Sequence, residues 1–279
     1  MTSRAHSTAV LLIALLWHSP VLSAQQAKTP SLHEILERLD SNLNQYDTGI
    51  PSFFCKEHIV SSQATRVEHD RITTIDSIFR LKRTPAARHA STLVETREIQ
   101  CVDGKPATSQ HLDGPTMLNG AFEGGLAVVS LSQAACMQYQ LQRIDPSRPS
   151  DPYIVRFATV LTPRNTADCL LQENSRGLAL IDPTSMQITH LEIATPKHAI
   201  IPATPFKSAT IGRRDLTVDY DAVVLGGAAF WLPATITMRV TSGAGTFHEM
   251  TWSFRATYSN YRKMEVTSRI LPGSQKNVP

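Results

Sequence analysis

Beyond its N-terminal segment the chain has no apolar run of the roughly 18 residues that a membrane-crossing helix needs. Charge of one sign is scarce as well. Lys and Arg number 27 against 24 Asp and Glu, and a formal net charge of +3 is too small for a dedicated nucleic-acid binder or a polybasic membrane-surface protein. Gly at 13 and Pro at 17 are ordinary, which excludes collagen-like and low-complexity classes. Close cysteine pairs are missing: Cys55, Cys101, Cys136 and Cys169 stand far apart with no C-x-x-C, against zinc ribbons and thioredoxin-type redox sites. Catalytic signatures are missing too. His248-Glu249 is followed by Met250-Thr251-Trp252, so the second His of an H-E-x-x-H helix is absent, and no nucleophile elbow, P-loop or dinucleotide fingerprint occurs. The ten histidines show no metal-ligand spacing. Nothing points to a cofactor, and the chain reads as non-enzymatic.

What is present begins with an address. Residues 1–24 read as a secretory signal peptide: Arg4 and His6 open it, residues 9–17 form a short apolar stretch, and Val21-Leu22-Ser23-Ala24 offers a small-residue cleavage site. The expectation is an exported protein, periplasmic or secreted, with residues 25–279 forming one domain. In an oxidising compartment four isolated cysteines suggest two disulfides, for which three connectivities exist. The pairing Cys55–Cys101 and Cys136–Cys169 is favoured, since each would tie neighbouring extended segments.

Ser31-Leu32-His33-Glu34 is a capping box, and Leu32, Ile35, Leu36, Leu39 and Leu43 follow at helical spacing. An amphipathic helix is therefore predicted over 31–46. Extended segments are predicted at 56–63, 71–82 and 91–101, the last entering a turn at Asp103-Gly104. A second, modest helix is predicted from Phe122 to about Ala135, weakened by Gly124-Gly125. Strands resume at 137–144 and 153–161 around a Pro-rich loop at 145–152. Residues 177–182 and 186–194 read as a hairpin turning at Pro183-Thr184-Ser185.

The last third alternates most regularly. Leu216, Val218, Tyr220, Ala222 and Val224 form one apolar set; Phe230, Leu232, Ala234, Ile236, Met238 and Val240 form the next. Met250, Trp252, Phe254, Ala256 and Tyr258 follow, and Met264, Val266 and Ile270 continue the pattern. Period two over successive strands means an antiparallel sheet with one apolar and one wet face, and an α+β class. So wide an apolar face exceeds what two helices cover. Either the sheet curls on itself or something else occupies it.

This layout resembles the periplasmic lipoprotein-carrier fold of the LolA/LolB type. The resemblance rests on the helix at 31–46 before the first strand and on Gly177-Leu178-Ala179-Leu180-Ile181-Asp182-Pro183-Thr184-Ser185-Met186-Gln187-Ile188. It rests also on the closing run Phe230-Trp231-Leu232-Pro233, Phe254 and Tyr258-Ser259-Asn260-Tyr261-Arg262-Lys263-Met264. It implies a strongly curved antiparallel sheet, an unclosed half-barrel, with the N-terminal helix and one further helix packed on its concave face. It further implies that this face receives acyl chains, and it favours the periplasm of a two-membrane bacterium. The dedicated carrier is smaller, lacks the four cysteines and has an Arg closing its cavity, with no counterpart identified in this sequence.

Two functions compete, with a hydrolase whose site is assembled from scattered residues as a third. One is binding of a hydrophobic ligand, a lipid or a lipoprotein acyl chain, with Phe230, Leu232, Ile236, Met238, Met250, Trp252, Phe254 and Tyr258 as cavity candidates. Burying an acyl chain contributes ~0.8 kcal/mol per CH₂, so ~14 carbons would give up to ~11 kcal/mol before binding costs. The other is an envelope interaction or regulatory module, in which the same residues form a dry core and the partner is another envelope protein. Arg80, Lys82, Arg83 and Arg88 form a local basic cluster, suited either to anionic head groups or to a solvated strand end. Asp219 and Asp221 share a strand face, as paired carboxylates or simply as its solvated side.

Overall fold

The computed structural model describes residues 29–65, 70–84, 92–110 and 125–265, except 143, 146, 201–209 and 244–248. Residues 1–24, read from the sequence as a signal peptide, together with Arg88, Phe122, Val266 and Ile270, lie outside the described residues.

Helix α1 (Leu32–Gly49) starts where the capping box places it. Ser31 Oγ accepts the Glu34 N–H at 3.2 Å, and Glu34 Oε2 accepts the Ser31 N–H at 2.6 Å. Its apolar stripe buries Ile35, Leu36, Leu39 and Tyr46. The helix runs three residues past its predicted end. Ile50 then turns extended ahead of Pro51, and the Arg83 guanidinium donates to the Ile50 carbonyl through Nε (3.1 Å) and Nη2 (2.9 Å). A cation on the last carbonyls suits the negative end of the helix dipole.

The strands are β1 (Phe53–Thr65), β2 (Arg71–Thr84), β3 (Thr92–Val102), β4 (Lys105–Pro106), β5 (Met137–Leu141) and β6 (Tyr153–Thr159). After them come β7 (Arg176–Ile181), β8 (Ile188–Ile200), β9 (Thr210–Leu225), β10 (Ala228–Ser242) and β11 (Met250–Lys263). They form one sheet in the order β4-β3-β2-β1-β11-β10-β9-β8-β7-β6-β5, antiparallel throughout. The edges β4 and β5 do not meet, so the sheet is an unclosed half-barrel. Register shifts interrupt the β1–β11, β2–β3, β7–β8, β8–β9 and β9–β10 ladders. Each extra residue bends its strand and increases the local twist, which is how so long a sheet curls around its apolar face.

Two expectations are corrected by local geometry. Alternation in β9 holds through Val218 and Tyr220, then changes phase, so that Val224 is 69% exposed while Leu225 is buried. The change lies across from the Pro233–Thr235 irregularity of β10, where proline has no N–H for the ladder. The second helix is much shorter than predicted. Within the described residues only 125–127 are helical, and a 3₁₀ turn at Leu131–Gln133 follows. Gly125 sits against the sheet: a Cβ there would lie 2.1 Å from the Tyr220 hydroxyl.

Of the two disulfides expected, Cys136–Cys169 is formed, with Cα atoms 5.6 Å apart. Cys55 and Cys101 are free thiols. The register explains why. Cys55 pairs with Phe79 and Cys101 with Asp76, so a whole strand, β2, separates them and they sit at different heights along it. Cys55 belongs to the buried row of β1, whereas Cys101 shares a row with the exposed Asp76. A bridge needs Cα atoms within about 7 Å. Burial pushes the Cys55 thiol far up in pKa, and the neighbouring Glu57 carboxylate adds to the shift. In native protein a maleimide is therefore expected to label half-exposed Cys101 and leave Cys55 intact until urea unfolds the chain; equal labelling of both would contradict this packing.

Candidate functional site

The inner face of the half-barrel carries the candidate residues. Phe230, Leu232, Ile236, Met238, Phe254 and Tyr258 are buried in a single core, and Trp252 packs against it from a half-buried position. Met250, at the start of β11, is half-buried and its sulfur accepts a hydrogen bond from Gln63 Nε2 at 3.2 Å. Cross-strand pairing joins several of them directly. Met238 faces Phe254 on one side and Leu216 on the other, and Ile236 lies between Ala256 and Val218.

Under α1 the packing leaves a small gap of about 30 Å³, bordered by Leu39, Tyr46, Leu126, Ile188 and Phe230 among others. It has room for a water or two, against the roughly 300–1,000 Å³ of a small-molecule site. Of the eight candidates, Phe230 alone borders it. The other seven pack elsewhere. Helix α1 is held over this gap by its four buried side chains and by Asn42 Nδ2, which donates to the Met186 carbonyl at 2.6 Å.

The same face holds a charge pair that sequence reading missed. Glu57 on β1 is 1% exposed, and Arg97 Nε reaches both of its carboxylate oxygens at 3.0 Å from β3. Ser77 on the intervening β2 donates to Glu57 Oε2 at 2.6 Å, and Glu95 Oε2 lies 3.8 Å from Arg97 Nη1. The guanidinium also sits 4.9 Å above the Phe79 ring, which in turn meets the Tyr258 ring edge-on at 5.8 Å. Burial disfavours the charge on Arg97, but the attraction of Glu57 outweighs it and holds the guanidinium protonated. Tyr258, read from sequence as an apolar lining residue, therefore ends beside a buried ion pair. Its hydroxyl pKa is pushed well up, first by burial and then by the Glu57 carboxylate. One signal was available: Glu57 occupies the apolar phase of Phe53, Cys55 and Ile59.

Of the basic cluster's described members, Lys82 is exposed on β2. Arg80 pairs with Glu98, and Arg83 turns to the end of α1. Asp219 and Asp221 are both exposed on β9, and Asp219 is taken by His190 Nδ1 at 2.6 Å, with Glu192 at 3.1 Å from Nε2. Burial opposes the charge on His190, yet the two carboxylate bonds prevail and raise its pKa. Among the described residues no group of three or more His, Cys, Asp or Glu side chains could hold a metal ion, and no helix is long and apolar enough to cross a membrane.

No family model matches the chain, and no curated protein matches its sequence. Among the solved structures similar to it are the following two. One is a LolA superfamily protein from Nitrosomonas europaea, 12% identical, with 86% of this chain and 96% of that chain covered and a TM-score of 0.34. The other is a DUF1329 family protein from Desulfovibrio piger, 10% identical, with the same coverage and a TM-score of 0.35.

Proposed function

We propose that this chain is an exported, non-enzymatic protein that binds a hydrophobic ligand, a lipid or lipidated segment, on the inner face of its half-barrel. The observation that carries the reading is the mismatch between a wide apolar inner face and the one long helix, among the described residues, that lies over it. Helix α1 contributes four buried side chains, with Leu32 and Leu43 packed half-buried beside them, and one side-chain hydrogen bond to the sheet's hairpin turn, while Arg83 of β2 holds its C-terminal end at the Ile50 carbonyl. A gap of about 30 Å³ admits no acyl chain, so a ligand enters where α1 now packs, and α1 moves aside. The burial gained along the chain, ~0.8 kcal/mol per CH₂, then replaces the contacts that α1 gives up. A formed disulfide is consistent with export to an oxidising compartment.

Native mass spectrometry of protein purified gently from an envelope fraction tests this. A mass excess that chloroform extraction removes and identifies as lipid is expected, and Trp252→Glu is expected to abolish it while the protein stays folded. Binding of the fluorescent probe N-phenyl-1-naphthylamine should rise several-fold in Asn42→Ala, which frees α1 from Met186. A folded Trp252→Glu with undiminished lipid would sink the reading. A bare mass accompanied by a co-purifying envelope protein would favour instead an interaction module with a dry core, which the close packing of the inner face also suits.

A further inference from the structure

A second concavity lies on the opposite, outer face, where β6 to β9 run side by side. It measures about 560 Å³ and is open to solvent. Its shape follows from the residues that alternation turns outward. Ala194 of β8 stands in register between Arg176 of β7 and Asp215 of β9, and Ala158 of β6 flanks Arg176 on the other side. Small side chains between long ones make a trench. Leu178, paired with Arg156 across β6 and β7, gives the trench an apolar wall.

Charge in the trench is unbalanced. Asp215 is engaged by Arg213 Nε at 2.7 and 3.0 Å, and Glu192 by His190. Arg156 and Arg176 are exposed, and among the described residues neither has a hydrogen-bond or ion-pair partner. Arg176 pairs with Ala158, two residues along from Arg156, so the two arginines are diagonal neighbours, roughly 7–8 Å apart at the backbone. At that spacing two planar guanidinium forks can converge on one tetrahedral anion, each giving parallel N–H bonds. A lone inorganic anion would fill little of 560 Å³, which is within the size range of small-molecule sites.

We propose that this groove binds a phosphate-bearing ligand, the phosphate held between Arg156 and Arg176 and the body of the ligand lying over Ala194 and against Leu178. The site is separate from the inner face, so it stands or falls apart from lipid binding there. The test uses the full chain at low ionic strength with three probes: inorganic phosphate and glycerol 3-phosphate by calorimetry, and phosphatidylglycerol vesicles by flotation. Arg156→Ala/Arg176→Ala is compared with Arg255→Ala/Lys56→Ala, which removes the same charge from the outer face away from the groove.

The expected result is at least a tenfold loss of affinity in the groove variant and less than twofold in the comparison variant. Glycerol 3-phosphate should bind more tightly than inorganic phosphate. If vesicles alone bind, with the same variant pattern, the phosphate is supplied by a lipid head group and the proposal stands. Absence of binding to all three probes overturns it, and so does an equal loss in both variants, which would mean diffuse charge attraction. Arg156→Lys/Arg176→Lys keeps the charge without the fork and guards against misfolding; an intermediate loss is expected, and unchanged affinity would refute the fork geometry. Binding of N-phenyl-1-naphthylamine should be the same in all variants.

Discussion

Alanine in place of Arg97 is expected to lower the unfolding free energy by about 3–5 kcal/mol, because it leaves the Glu57 carboxylate buried without a counter-charge. Ser77 would still donate one hydrogen bond, but a single hydroxyl does not replace a guanidinium bound to both oxygens. Against a total stability of about 5–15 kcal/mol the loss is large, and urea denaturation should show it as an early midpoint. A double variant identifies the cause. Replacing both partners by apolar residues, Glu57→Leu/Arg97→Met, is expected to restore most of the stability, since it removes the uncompensated charge. A loss below about 1 kcal/mol in Arg97→Ala, or a double variant no more stable than Arg97→Ala, would refute this account.

The pair also marks where sequence reading stops. Strand identity and facing were legible from period two alone: the alternations around Ile236 and Phe254 predict burial, and both are buried. Helix α1 was legible from its capping box and stripe. Register was not legible. Alternation fixes which face a residue takes but not which residue stands opposite, and Glu57 meets Arg97 only through the β1–β2 and β2–β3 pairings. The same gap misled the cysteine assignment, where Cys55 and Cys101 are on strands that both flank β2 but at different heights and on different faces. Bulges are a further blind spot. Pro233 hinted at an irregularity in β10, yet its effect on Val224 across the ladder follows only from the pairing. The outer groove was equally invisible, because Ala158, Arg176, Ala194 and Asp215 come from four strands and meet only in the folded sheet.

Removal of the Cys136–Cys169 bridge, by Cys136→Ala/Cys169→Ala, is expected to cost roughly 3.7 kcal/mol in the chain-entropy relation for a loop of 33 residues. The loss should not be spread evenly. An open half-barrel has two edges, and each is protected differently. At the β3 edge the Gln110 side chain imitates a strand, accepting the Ile99 N–H at 2.8 Å and donating to the Ile99 carbonyl at 3.1 Å. At the other edge β5 is five residues long and pairs with β6 alone. Cys136 immediately precedes β5, and its carbonyl accepts the Val160 N–H at 2.7 Å just past β6, so the bridge fastens the edge at its first residue. Without it, hydrogen exchange should accelerate by one to two orders of magnitude at Met137–Leu141 and Tyr153–Thr159 before it changes in β1 and β2. Uniform acceleration across the sheet would show the bridge acting on the unfolded chain alone. Localised acceleration would show that it keeps the β5 edge of the half-barrel from fraying, the state in which an open edge can pair with a second sheet.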